Sequence, residues 1–208
     1  MKAEGTLRNL SLKWFVPLTA SLMMAATSSG AIVITFDGLA DSELVTSQFS
    51  GVTFTGASVL TQGVSLSPVY PPVSPSNTVF DITGQMTIAF GPSVVDVGGF
   101  FTYNTPLTLQ YFGGGGALLA TLTSSFSQNF TGTGNPPNEF IQFTSPLGIH
   151  SMTIIGNPSG NSFTMDNLTY STGSAVPEPG STISVLAAFA IPLLRRRSRS
   201  SGTLALQY

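Results

Sequence analysis

Cysteine is absent from the 208 residues, so no disulfide framework and no thiolate metal or redox centre can form. Charge is scarce as well: Asp, Glu, Lys and Arg together make up 8% of the chain, against about 25% in an average soluble protein. Histidine occurs once, as His150, and tryptophan once, as Trp14. The sharpest absence is positional. From Ile32 to Ala175 there is neither Lys nor Arg, while seven acids lie in that stretch: Asp37, Asp41, Glu43, Asp81, Asp96, Glu139 and Asp166. Seven acids and no base give this segment a charge of about −7 near neutral pH.

These absences exclude whole classes of chemistry. Nucleic-acid binding neutralises phosphates with Lys and Arg, and none is available, so no nucleic-acid partner is expected. Phosphoryl transfer needs cationic clamps, and Schiff-base chemistry needs Lys. A Ser–His–Asp type triad has only His150 to call on as base, with no G-x-S-x-G beside it, and a single His argues against a His-based zinc site. Gly113 to Gly116 is followed by no Lys, so it is a flexible connection and not a phosphate loop. What remains compatible is a hard cation held by oxygen ligands, or a neutral polar ligand such as a sugar.

What is present begins with the ends. Lys2, Arg8 and Lys13 form a positive leader. Trp14 to Ala26 is an apolar run of thirteen residues, and Ser29-Gly30-Ala31 supplies small residues. This order is that of a secretory signal peptide over residues 1–31, expected to be cut by signal peptidase after Ala31, with the position after Ala26 as a second cleavage point and an uncleaved N-terminal anchor as the alternative. At the other end, Val176-Pro177-Glu178-Pro179-Gly180-Ser181 is held extended by its prolines. Gly180 to Leu194 is apolar and helix-capable, and Arg195, Arg196 and Arg197 stop it on the cytoplasmic side.

The succession of Pro177-Glu178-Pro179, a short hydrophobic segment and Arg195-Arg196-Arg197 resembles the PEP-CTERM protein-sorting tail of Gram-negative-type bacteria. The resemblance covers residues 176–208. It implies that an exosortase, a membrane enzyme of Cys-transpeptidase type, recognises the motif and passes the cargo to the cell surface or extracellular matrix, with a transient stay in the inner membrane. The tail departs from that pattern in two respects. Its 15 apolar residues make about 22 Å of helix, short of the roughly 30 Å hydrocarbon core, and Ser198 to Tyr208 continues past the arginines.

Between the ends, short β-type runs alternate with turn signals and no helical period appears. The expected strands are Ile32–Phe36, Val52–Thr55, Ser58–Gln62, Thr78–Ile82, Met86–Phe90, Val94–Tyr103, Leu107–Phe112, Leu118–Thr123, Ser125–Thr131, Glu139–Thr144, Ile149–Ile155 and Ser162–Tyr170. Gly91-Pro92 is taken as one of the separating turns. Met86, Ile88 and Phe90 share one face; Leu107, Leu109 and Tyr111 share another. The predicted fold is all-β: a two-sheet antiparallel β-sandwich, jelly-roll-like, over residues 32–170. It has an N-terminal signal helix, a 171–175 linker and a C-terminal short hydrophobic helix over 180–194. Pro68 to Asn77 carries four prolines in ten residues and is expected to be a long surface loop.

Within this body, Asp166 lies between apolar Phe163 and Leu168 on an expected strand, and burying it requires a metal, backbone N–H groups or water as partner. The end of the first strand, ITFDGL, and the last strand, SFTMDNLTY, resemble the corresponding ends of galactose-binding-like and carbohydrate-binding-module jelly rolls. There, an acid near the first strand and an Asp on the last hold a structural Ca²⁺, with backbone carbonyls completing the shell. The resemblance implies Asp37 and Asp166 as the metal ligands. For sugar stacking the candidates are Tyr70, Tyr103, Tyr111 and Phe112, with extracellular polysaccharide as partner. For a hydrolase, which needs two facing carboxylates, Glu43, Glu139, Asp81 and Asp96 are the candidates, and nothing in their spacing selects a pair. The function expected from these features is that of a non-enzymatic, exported surface or matrix protein; the alternatives are a carbohydrate-binding module with structural calcium and a polysaccharide hydrolase.

Overall fold

The computed structural model describes residues 30–173. The expected signal peptide up to Ser29, the motif Pro177-Glu178-Pro179, the apolar segment 180–194 and Arg195 to Arg197 lie outside the described residues. Among the described residues no helix is long and apolar enough to cross a membrane.

The body is all-β and antiparallel. Ten strands follow in order: β1 (Ile32–Ile34), β2 (Leu44–Val45), β3 (Val52–Thr55), β4 (Ala57–Thr61), β5 (Asn77–Asp81), β6 (Gln85–Tyr103), β7 (Thr108–Phe112), β8 (Leu118–Thr123), β9 (Glu139–Ile155) and β10 (Phe163–Thr172). Hydrogen bonding joins them as β2-β4-β5-β10-β6-β9-β7-β8, with β1 added to β10 and β3 to β6. The alternation in the sequence sets which side faces in. In β3, Val52 and Phe54 are buried and Thr53 and Thr55 exposed; in β7, Leu109 and Tyr111 are buried and the residues between them half-buried.

Two pairs of expected strands turn out to be single long strands. β6 runs through Gly91-Pro92 and β9 through Pro146, where turns would otherwise break them. The register between β6 and β9 slips twice, between Ala89 and Val94 and between Val94 and Asp96, and both prolines lie in these gaps. A proline costs no ladder bond at such a bulge, and the bulge bends the strand. The first part of β6 therefore pairs with β3 and the end of β9, while its second part pairs with β10 and the start of β9. Rings from the two parts meet in one core: Phe90 lies 5.4 Å from Tyr170, Tyr111 lies 4.8 Å from Phe143, and Phe36 lies 5.8 Å from Phe54. Each such ring contributes about 1.5–3 kcal/mol by leaving water.

The expected strand Ser125–Thr131 does not form. Asn129, fully buried, takes its place at the end of β6: its Oδ1 accepts from the Tyr103 amide at 2.7 Å and its Nδ2 donates to the Phe101 carbonyl at 2.9 Å. A side-chain amide thus supplies the bonds that a neighbouring strand would have made. β10 extends to Thr172, into the segment expected as linker.

Candidate functional site

The first and last strands lie side by side. β1 pairs with β10 from Ile32↔Tyr170 to Ile34↔Leu168. Beyond β1 the chain turns at Phe36 (φ 66°), which buries its ring and presents Asp37 to the loop before β5. On β10 the register slips between Asp166 and Thr169, with Asn167 at φ 50°. Two residues distant in sequence thereby reach the same loop, the proline-rich segment expected to be a surface loop. Its end is not at the surface: Ser74 and Asn77 are 6% and 3% exposed.

Asp166 accepts four hydrogen-bonding groups. Its Oδ2 receives the amides of Val73 at 2.7 Å and Ser74 at 2.8 Å, and its Oδ1 receives the Asn167 amide at 2.7 Å and the Ser74 hydroxyl at 2.8 Å. Asp37 Oδ1 receives the amides of Ser76 and Asn77, both at 3.0 Å, and the Ser76 hydroxyl at 3.2 Å. Ser74 stands between the two carboxylates. Around its Oγ lie Asp166 Oδ1 at 2.8 Å, Asp166 Oδ2 at 3.0 Å, the Thr35 carbonyl at 3.1 Å, the Asn77 carbonyl at 3.2 Å and Asp37 Oδ1 at 3.5 Å. A hydroxyl has one proton to donate, so this point holds more lone pairs than its hydrogen can satisfy. The Asn77 side chain adds to the surplus. Its Nδ2 donates to the carbonyls of Phe36 and Leu39, which leaves Oδ1 buried without a partner.

The electrostatics of the two acids differ. Burial raises the Asp166 carboxyl, and the donors from Ser74, Val73 and Asn167 offset this only in part, so its net shift is upward. For half-buried Asp37 burial also raises, but the amides of Asn77 and Ser76 outweigh it and hold the carboxyl below its ordinary value.

The remaining acids are spread out and engaged. Asp81 is fully buried at the end of β5; its Oδ1 accepts from the amides of Ser162 at 2.8 Å and Phe163 at 2.9 Å, and its Oδ2 from the Ser162 hydroxyl at 3.0 Å. It anchors the start of β10, and burial again pushes it up against those donors. Glu139 accepts a short hydrogen bond from the Tyr103 hydroxyl and the Ser125 amide at 2.9 Å. Asp96 holds Gln142 and Thr144, and Glu43 holds Gln48 and the Ala40 amide. The hydrolase candidates are therefore each tied to a different loop or strand. His150 is exposed on β9, and among the described residues no carboxylate hydrogen-bonds to it. Of the stacking candidates, Tyr103 and Tyr111 are fully buried in the core and cannot meet a sugar; Phe112 and Tyr70 are half-buried.

Ser74, with the carbonyls of Thr35 and Asn77, escaped sequence reasoning. Nothing in the local pattern distinguishes Ser74 from Ser67 or Ser76; only the pairing of β1 with β10 makes it central.

No protein-family model and no curated protein sequence matches the chain. Among solved structures it is similar to the K2 cleaved adhesin domain of Lys-gingipain, at 12% identity and a TM-score of 0.46 over 69% of this chain and 100% of that one. It is similar to the K1 cleaved adhesin domain of Lys-gingipain from Porphyromonas gingivalis W83, at 10% identity and a TM-score of 0.44 over 70% of this chain and 99% of that one. It is also similar to a family 29 carbohydrate-binding module from Piromyces equi, at 11% identity and a TM-score of 0.39 over 73% and 96%. No residue role follows from likeness at this level.

Proposed function

We propose that the chain is an exported, non-enzymatic protein of the cell surface or extracellular matrix. Signal peptidase removes residues 1–31, and an exosortase-type enzyme reads Pro177-Glu178-Pro179 while the following segment rests in the membrane, stopped by Arg195 to Arg197. The body is a jelly-roll-like sandwich that faces extracellular polysaccharide or neighbouring proteins. The observation that carries this reading is how the body spends its acids. Asp81 and Asp166, the two fully buried ones, accept backbone amides that fasten loops, and all fixed positive charge lies in the first 13 or last 14 positions. Such acids build a scaffold and are not free to move protons for a substrate.

The test is fractionation with mass spectrometry of the full chain in its host, with and without the sorting enzyme. The expected product starts at Ile32, is surface-located, and lacks residues 183–208 only when the enzyme is present. Intact chain in the cytosol would overturn the proposal.

The second part of the reading concerns calcium. Among the described residues no three His, Cys, Asp or Glu side chains gather, so a cation here would have to draw on carbonyls and a hydroxyl as well. The oxygens around Ser74 meet that need: Asp37 and Asp166 with the Ser74 hydroxyl and the carbonyls of Thr35 and Asn77, hard donors in a body with no cationic side chain. Bound Ca²⁺ would neutralise the two carboxylates and tie β1, the loop and β10 together. After chelator stripping, added Ca²⁺ is expected to raise the melting temperature of the wild type and to leave Asp37→Asn and Asp166→Asn unmoved. An unmoved wild type would leave the amide donors as the whole account of the two acids.

A further inference from the structure

The loop from Gln62 to Ser76, whose far end Asp166 holds, covers the outer face of β4, β5 and β10. Beneath it is a cavity of about 140 Å³. At roughly 10–15 Å³ per water in this measure, it admits about ten waters' worth of ligand, the size of one monosaccharide ring. Tyr70, Leu66 and Phe80 give it an apolar wall; Ser67, Asn161 and Thr164 give it a polar one. No Asp, Glu, Lys, Arg or His lines it.

The polar wall is unspent. Thr164 is 6% exposed, yet its hydroxyl bonds to no described residue, and the side chains of Ser67 and Asn161 are likewise unengaged. Among the described residues the Thr164 hydroxyl is not one of the sealed-off polar atoms without a partner, so water reaches it, as it reaches the exposed side chains of Ser67 and Asn161, and a ligand hydroxyl can take that water's place. The apolar wall is held in place before any ligand arrives. Tyr70 stacks on Phe130 at 6.0 Å and 21°, its amide donates to the Ser67 carbonyl at 2.9 Å, and the Val69 carbonyl accepts from the Thr131 amide at 2.9 Å. A pocket with an aromatic side, a hydroxyl-and-amide side and no charge discriminates by chemistry. An anion meets an acidic body without a counter-charge, and a cation meets no carboxylate.

We propose that this cavity is a binding site for a single neutral sugar ring, its C–H face against Tyr70 and Phe80 and its hydroxyls bonded to Thr164, Ser67 and Asn161. This deepens the polysaccharide part of the functional reading and rests on it for the source of the sugar. The probes are glucose, galactose, mannose and xylose, their β-linked oligomers, and glucuronate, titrated into the full-length chain in a zwitterionic, sugar-free detergent and followed by calorimetry and by amide chemical shifts. At least one neutral sugar is expected to bind saturably and to shift the Phe80, Thr164 and Ser67 amides. Thr164→Val, which keeps side-chain shape, and Ser67→Ala at an exposed position are each expected to weaken it about tenfold, while Thr121→Val on β8 leaves it unchanged. Failure of every neutral sugar, equal binding of glucuronate, or binding that survives Thr164→Val in a folded protein would overturn the site. The readout is separate from localisation: a surface-located chain that binds no sugar loses the pocket but keeps the export reading, and a sugar-binding chain found in the cytosol does the reverse.

Discussion

Asp81 and Asn129 do the same job in two differently charged regions of the body. Asp81 belongs to the acid-bearing part, where carboxylates at 37, 81 and 166 collect amides and fasten loops. Asn129 belongs to the stretch from Val97 to Asn138, which contains no Asp, Glu, Lys, Arg or His. Both residues are fully buried, and both satisfy main-chain groups at a strand end. The difference lies in what is offered. At Asp81 every partner is a donor, so an acceptor-only carboxylate fits; at Asn129 one partner is the Phe101 carbonyl, so the residue must donate as well as accept. Loop fastening by carboxylate brings pH dependence with it, and fastening by amide does not.

Exchanging the two types is the strongest way to break this comparison. Asn129→Asp places a buried charge against the Phe101 carbonyl and is expected to cost about 3–5 kcal/mol in urea unfolding at pH 7. The loss should shrink as the solution is acidified, because a protonated carboxyl can donate to that carbonyl. The converse Asp81→Asn keeps an acceptor for the two amides and is expected to cost only about 1–2 kcal/mol. Equal costs for both exchanges at pH 7 would show that the donor pattern does not decide the residue type.

The pH profile of the wild type sharpens the same point. Asp81 and Asp166 have folded values raised above their unfolded ones, so their burial penalty is present near neutrality and fades as pH falls through the raised values towards 3.8. Asp37, Asp41 and Glu43 are lowered, so their contribution holds above their unfolded values, 3.8 for the aspartates and 4.5 for the glutamate, and is lost as pH falls through the folded ones. The melting temperature of chelator-stripped protein is therefore expected to pass through a maximum on the acid side, rising as pH falls through the raised values of Asp81 and Asp166 and falling as pH drops through the lowered values of Asp37, Asp41 and Glu43. If the proposed site takes Ca²⁺, the added ion flattens the upper limb by removing the Asp166 penalty. A stability that decreases steadily from pH 7 downward would contradict the burial account.

The smallest expected effect lies in the core. Tyr111 is fully buried with its hydroxyl unpartnered, which pushes that phenol well above its ordinary value. Tyr111→Phe is expected to raise stability by about 1 kcal/mol, read by thermal unfolding; a loss of that size would mean that the hydroxyl has a partner in solution.

The strand alternation was legible residue by residue: Met86, Ile88 and Phe90 face the core, as do Leu107, Leu109 and Tyr111. The residues alone required only that Asp166 find donors; its meeting with Asp37 beside Ser74 was implied by the resemblance of ITFDGL and SFTMDNLTY to jelly-roll ends and not by spacing. The corners were not legible. Gly91-Pro92 and Ser145-Pro146 carry the local chemistry of turns, and only the paired register of β6 and β9 shows that the strands bend there without ending. Ser125–Thr131 misled for the opposite reason. Its alternation is real, but the Asn129 side chain had already taken the ladder positions at Tyr103 and Phe101. Ser74 gave no signal at all, since its role depends on oxygens contributed from residues 35, 37, 77 and 166.

The missing lysines and arginines also decide what can dismantle the body outside a cell. Proteases of the trypsin type cut after those two residues, and between Lys13 and Arg195 they find none. Even a loop that opens, or a chain that unfolds briefly, offers such an enzyme no bond to hydrolyse. The missing bases thus confer resistance that belongs to composition and persists when the fold itself is lost.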